Sequence, residues 1–494
     1  MATGRAAASL RRFFSNDPAW RPFWMVAAVL LVAALLLAPA LWNGYPLIYF
    51  DSEDYVEMSF TWHPILWRIM TYSVFCVVGR LFDTLWAVVV LQALMVAWTL
   101  REAVFAFVGR WRNRVFVALG AALTALTGLA IVTSEVMADV FGATTILGIA
   151  TLAFGQGLTR ARRLVLAAVV LVSVAVHMAH VAVACGLMLV LAVMLLLSRW
   201  VGRMPRPRMV LPLVATVLGT LAVPTTNWVA TGDFYFEKAG HVLQLALFVQ
   251  NGLAKKYLDV VCPQGAQLKM CAHKDELPFT ADEFLWGDSP FDAMGGWKAM
   301  HDEADVIIAG AAKMFPADVA EAMAADTWTQ VNLIADAEDL VPMTWHFVKT
   351  QLRRYPHDFR HFRFARQQRE LGIDFDGVNR VHVPLAEAAE VAMLGFLIAA
   401  WRRRDRAATG LMVVVAVALL GNAFVCGALS NPHDRYQNCL VWLALFASAI
   451  GAIRLDQRML RRRADRPPPA DPLGRLRPLP HPVAAEKAET EAAG

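Results

Sequence analysis

Long apolar runs recur along this chain, and short basic knots separate them. A helix needs about 20 mostly apolar residues to cross the roughly 30 Å hydrocarbon core of a bilayer. Runs near that length are Phe23–Trp42, Thr84–Leu100, Val115–Thr133, Val136–Gly157, Leu164–His177, Val181–Leu197, Met209–Thr226, Pro384–Trp401, Ala407–Leu429 and Asn438–Ile453. They predict an all-α polytopic membrane protein with about ten transmembrane helices. The first run follows Arg11, Arg12 and Arg21, and Ala38-Pro39-Ala40 looks like a cleavage site. It is longer than a usual signal-peptide core, and Pro inside that site is unfavourable, so it reads as the first membrane helix.

Lys and Arg in short connections set orientation, because they stay on the cytoplasmic side. The knots are Arg110–Arg114, Arg160–Arg163, Arg199–Arg208, Arg402–Arg406 and the tail from Arg454. With ten spans and a cytoplasmic N-terminal segment (1–22), every knot falls in the cytoplasm. The expected location is a bacterial inner membrane, with both termini cytoplasmic. Counting His63–Phe82 as another span would invert every later knot. That stretch therefore reads as an amphipathic helix in the outer interface, within a first outer loop 43–83, with Trp62, Trp67 and Tyr72 at headgroup level. Residues 228–383, between the seventh and eighth spans, read as a mostly helical periplasmic domain. The segment 454–494 is basic, then Pro-rich, and reads as a disordered cytoplasmic tail.

Composition agrees: 57% of the residues are hydrophobic and 18% charged, where a soluble domain has about half and a quarter. The net charge of +5 says less than where the cations sit. No internal repeat, zinc-type Cys spacing or phosphate-cradling Gly-rich loop is present in the sequence. Cys262 and Cys271 fall on the oxidising side and are expected to pair, closing a short ring that stabilises by roughly 2–3 kcal/mol. Cys76, Cys185, Cys426 and Cys439 lie in apolar stretches and read as packing residues.

Ionisable residues near membrane depth are costly and mark candidate function. Here they gather on the outer side: Asp51, Glu53, Asp54, Tyr55 and Glu57, then Glu135 and Asp139, then His177 and His180, and finally Asn431-Pro432-His433-Asp434-Arg435-Tyr436. Together they predict one polar cavity at the membrane surface. Each also has a structural reading: a solvated acidic loop, a helix-start acid at Glu135, a structural His pair, an interfacial anchor at His433–Tyr436.

A first span followed at once by Asp51-Ser52-Glu53-Asp54-Tyr55 and an interfacial helix resembles the GT-C superfamily of membrane glycosyltransferases. Glu135, Asp139 and the pair Arg435-Tyr436 before the last span are similar in placement. The resemblance covers about Phe23 to Leu197 and the final two spans, and it is architectural. It implies transfer of a sugar from a polyprenyl-phosphate donor to a periplasmic or lipid-linked acceptor in envelope glycan synthesis. In that frame Asp51 is the expected base, with Asp54 or Glu53 as its rival. Tyr55, Glu135, Asp139, His177, His180, His433, Arg435 and Tyr436 are expected around the substrates, with Arg435 on the phosphate through a bidentate fork. A divalent metal on Asp51 or Asp54 is compatible with this set and not required by it. Two other readings stay open: a transporter or flippase of lipid-linked glycans, and a non-catalytic scaffold of polysaccharide assembly.

Overall fold

The computed structural model describes residues 21–108, 112–343 and 352–464. The N-terminal segment 1–22 and the Pro-rich part of the tail fall almost wholly outside them. The described chain is helical, with no β-strand among the described residues. An isolated parallel bridge joins Leu47 to Glu135.

The first apolar run forms α1 (Arg21–Leu36) and α2 (Ala38–Asn43), broken at Leu37 where Pro39 enters the first turn of α2. The stretch expected to be the first outer loop follows as α3 (Phe50–Thr61) and α4 (Thr71–Phe82). The bundle continues with α5 (Trp86–Phe107), α6 (Arg112–Leu126), α7 (Leu129–Ser134), α8 (Val140–Phe154), α9 (Arg160–Ala175), α10 (Met178–Leu197) and α11 (Val210–Thr231). Side chains start several of these helices. Thr159 accepts from Arg162 N at 3.3 Å and His177 from Ala179 N at 3.2 Å.

The insertion then runs through α12 (Gly240–Gln250), α13 (Leu253–Val261), α14 (Ala281–Trp286), α15 (Gly296–Met314), α16 (Pro316–Asn332) and α17 (Pro356–Phe364). Helices α18 (Asp376–Arg402), α19 (Arg406–Ala423) and α20 (Asp434–Ala464) complete the chain, with a π-helical turn at Phe424–Ala428 after α19.

Among the described residues, six helices are long and apolar enough to cross a membrane: α5, α10, α11, α18, α19 continued to Ala428, and α20 from Asp434 to Gln457. The other expected runs form shorter helices, α1 with α2, α6 with α7, α8 and α9. Gly128 interrupts the pair α6–α7 at a tight contact, where a Cβ would collide with Asp336 and Asn438.

Three boundaries differ from the sequence reading. The expected interfacial helix begins only at Thr71, after a turn with Trp62 in the left-handed region (φ 56°). Trp67 and Tyr72 are engaged with protein. Tyr72 is fully buried and donates to Gln92 Oε1 at 2.5 Å, and Trp67 packs on Trp286 and Trp297 at 5.7 and 5.1 Å between ring centres. The insertion is narrower than 228–383, because α11 continues to Thr231 and α18 already starts at Asp376. The tail is helical to Ala464, since the Arg-rich stretch extends α20 without a breaker.

The basic connections meet at one end of the bundle. Arg162 pairs with buried Glu102 at 2.6 Å, and Arg208 donates to the Gly155 carbonyl. Arg406 donates to Gly202 O at 2.7 Å, while Arg454 reaches Asp405 at 2.7 Å and Phe107 O at 2.5 Å. Asp51, Asp139, His177, Arg435 and the insertion lie at the other end. The insertion has a core of its own, built on Val242, Leu245, Phe284, Phe291, Met300 and Ile307. Cys262 and Cys271 are disulfide-bonded at its edge. Past Asn332 the chain rejoins the main core through Leu340, Met343, Tyr355 and Phe362.

Candidate functional site

The connection from α2 to α3 is stitched down before it reaches its acidic residues. Leu47 N donates to Ser134 O at 2.9 Å and Val136 N to Leu47 O at 3.0 Å, which sets the loop beside the Glu135 segment. Gln367, arriving from the insertion, accepts from Ile48 N at 3.1 Å and donates to Ile48 O at 2.6 Å. Buried Asp358 accepts from Tyr45 OH at 2.9 Å and Leu85 N at 2.7 Å. With these clamps, α3 presents its acidic first turn to the bundle.

Asp51 is buried and uses both oxygens. Oδ1 takes Arg68 Nη2, and Oδ2 takes Arg435 Nη1 at 2.9 Å. Burial opposes ionisation, but Arg68 and Arg435 together hold its carboxyl below the usual carboxylate range. Asp54, one turn on, shares Arg68. Its Oδ2 accepts from Arg68 Nε at 3.2 Å and from Trp67 Nε1 at 3.1 Å. Burial outweighs Arg68 there and holds the Asp54 carboxyl above its ordinary value. Glu53 has no hydrogen-bond or ion-pair partner among the described residues. Burial, then the charges of Asp54 and Glu57, push it up to about 7. Tyr55 is buried edge-on against Tyr72, with ring centres 4.7 Å apart. Glu57 is not merely solvated, since it pairs with Arg354 at 2.9 Å.

Arg435 is the centre of the arrangement. Beside its bond to Asp51, its guanidinium lies over the rings of Tyr49 at 4.6 Å and Tyr436 at 4.7 Å, and Nη2 donates to Tyr436 OH at 3.1 Å. Its buried Nε has no partner among the described residues. A small recess beside it is lined by Tyr49, Glu135, Asp139, Glu338 and Asn438.

His433 does not reach into this recess. Its Nδ1 lies 2.8 Å from Glu338 Oε1 and its Nε2 3.4 Å from Asp282 in the insertion. Burial works against its charge, but the two carboxylates push the imidazole up to about 10. Glu338 also accepts from Arg435 N at 3.0 Å, and Gln330 brackets His433 through its backbone N–H (3.0 Å) and carbonyl (2.7 Å). Both ring nitrogens are engaged, and the residue fixes the Arg435 loop.

His177 and His180 have ring centres 5.0 Å apart, yet His177 precedes α10 as its cap rather than sharing a helix face. His180 Nδ1 lies 2.9 Å from Ser173 O, a carbonyl that can only accept, so Nδ1 is the donor there. Its Nε2 sits over Gly142, where a Cβ would come within 2.9 Å. Asp139 is buried one turn before Gly142. Among the described residues no group of three or more His, Cys, Asp or Glu is arranged to hold a metal ion. Asp51 and Asp54 meet arginines instead, so they do not fit the metal considered above.

Sequence reasoning missed Arg68, Trp67, Glu338, Gln330 and Gln367. Trp67 and Arg68 lie in a stretch read as interfacial, and Glu338, Gln330 and Gln367 come from the insertion, where nothing in their spacing points inward. Neither a family model, a curated protein nor a solved structure matches this chain.

Proposed function

We propose that this protein is a GT-C-like glycosyltransferase of the bacterial inner membrane, with about ten spans, both termini cytoplasmic and the insertion periplasmic. It takes a sugar from a polyprenyl-phosphate donor and transfers it to a periplasmic or lipid-linked acceptor. One observation carries the reading: the partly buried ionic chain Asp54–Arg68–Asp51–Arg435, assembled from the first outer loop and the start of the last helix. Two guanidiniums beside two carboxylates at one end of a helical bundle match a leaving phosphate and an acceptor hydroxyl. A transporter places its ionisable groups near the bilayer midplane, whereas these lie at one end.

Asp51 is a poor base here, because two guanidiniums saturate it. Its role in the proposal is to hold Arg68 and Arg435 in register. Asp54 takes the proton instead: its Oδ1 accepts no hydrogen bond among the described residues, and Trp67 and Arg68 fix its orientation. Glu53 has proton affinity but nothing to position it. In the transfer, the acceptor hydroxyl loses its proton to Asp54 as its oxygen bonds to the sugar's anomeric carbon. The bond from that carbon to the phosphate oxygen breaks, and Arg435 and Arg68 take up the released charge.

Asp54→Asn should lower kcat by about 10²–10⁴-fold with KM little changed, and Glu53→Gln should stay within a few-fold of the native rate. The assay is sugar transfer from a polyprenyl-phosphate donor pool by membranes carrying each variant at equal expression. Equal rates for Asp54→Asn and Glu53→Gln would end the catalytic assignment.

A further inference from the structure

Residues 353–369 carry six arginines and one carboxylate. That carboxylate, Asp358, is buried and consumed by Tyr45, Thr84 and Leu85. Arg354 is paired with Glu57. Arg353, Arg360, Arg363, Arg366 and Arg369 are exposed and have no carboxylate partner among the described residues. His357 and His361 are exposed beside them. α17 is short and amphipathic: Phe362 turns into the core at 2% exposure, while its basic residues and Phe364 face outward.

The strip's position relative to the bundle is fixed by contacts. Arg366 donates to Trp42 O at 2.9 Å and lies over the Trp42 ring, at the end of α2. Asp358 holds Leu85 N, the residue before α5, which is one of the helices long enough to cross a membrane. The strip therefore lies across the ends of two bundle helices. Exposed apolar side chains occur in the strip at Phe364, beneath Arg366 at Trp42 with its neighbour Leu41, and at Leu81 and Phe82 just before Thr84, which donates to Asp358. Exposed aromatics together with unpaired arginines at helix ends suit the headgroup layer of a bilayer, where apolar groups enter the acyl boundary and cations meet phosphates.

We infer that the exposed face of residues 353–369 binds the headgroups of anionic glycerophospholipids. The strip stands at the end opposite the basic connections, so it holds anionic lipid beside the candidate site rather than setting orientation. Charges in long translocated segments do not enter the orientation rule.

The test uses full-length protein in nanodiscs carrying equal amounts of photoreactive phosphatidylglycerol or photoreactive phosphatidylcholine, with cross-linked peptides mapped by mass spectrometry. Peptides covering 353–369 should take the anionic probe several-fold more than the zwitterionic one. Raising salt to roughly 0.5 M, where the screening length falls to about 4 Å, should shrink that preference. Combining Arg353→Gln, Arg360→Gln and Arg363→Gln should abolish it while labelling near Arg199–Arg208 is unchanged. Equal labelling by both probes in the native protein would overturn the inference, whatever the variant's folding. So would labelling that a polyprenyl phosphate displaces and unlabelled phosphatidylglycerol does not, which would assign the strip to the donor lipid.

Discussion

Glu53 shows how position alone sets a residue's chemistry. Its pKa of about 7 in the folded protein lies above its ordinary value, so its contribution to stability is present at low pH and lost as pH rises through 7. The melting temperature of native protein in detergent should fall from pH 5 to pH 8 by more than that of Glu53→Gln. His433 has the same sign on a different range. Its folded pKa of about 10 lies above the ordinary imidazole value near 6.5. The Asp282–His433–Glu338 contacts therefore stabilise fully below about 6.5, remain at neutral pH and disappear as pH passes 10. His433→Gln should melt below the native protein at pH 7, and the gap should close toward pH 10. A constant gap would mean that the imidazole is not charged in the fold.

Among the elements, the π-helical turn Phe424–Ala428 is where α19 meets α16. A Cβ on Gly427 would lie 2.6 Å from Asp326 O, so only glycine allows the two backbones this approach. Gly427→Val should destabilise by about 1–3 kcal/mol through overpacking, read as a lower thermal midpoint, and should loosen the Gln330 clamp on His433. Elements were the most legible level of the sequence. The expected apolar runs appear as helices because local composition decides them, and Cys262 and Cys271 are bonded. Interruptions were less visible. The break at Gly128 depends on Asp336 and Asn438, which approach from hundreds of residues away.

At the scale of the whole molecule, the candidate site was half legible. Asp51 and Arg435 could both be singled out as ionisable groups near apolar runs, but their direct contact, and Arg68 between two aspartates, could not. Such pairings join segments far apart in sequence and leave no periodic trace. Gln367 and Asp358 are the clearest cases, single polar residues in the insertion that hold Tyr45, Ile48 and Leu85. The grouping of the basic connections at one end supports an orientation test. Cysteine labelling from outside intact cells should modify Lys274→Cys and spare Arg404→Cys. The reverse pattern would invert the proposed topology.

Helix α18 has 27 residues, and only 17% of its apolar stretch is buried. At 1.5 Å per residue it is about 40 Å long, some 10 Å more than a typical hydrocarbon core. Its surplus is the polar start, Asp376 to His382, which continues the helix ahead of Pro384. Asp336 grips that start at His382, and Asn379 exchanges hydrogen bonds with the Asp336 backbone at 2.7 and 3.2 Å. A lipid-facing helix answers bilayer thickness by tilting, and a tilted helix moves its tip. The tip is tied through Asp336 and its neighbour Ala335 to Asp434 and Asn438, beside Arg435. On the proposed function, this connection predicts that transfer rates in nanodiscs of shorter and longer acyl chains differ, and that cutting the grip with Asn379→Ala flattens that dependence.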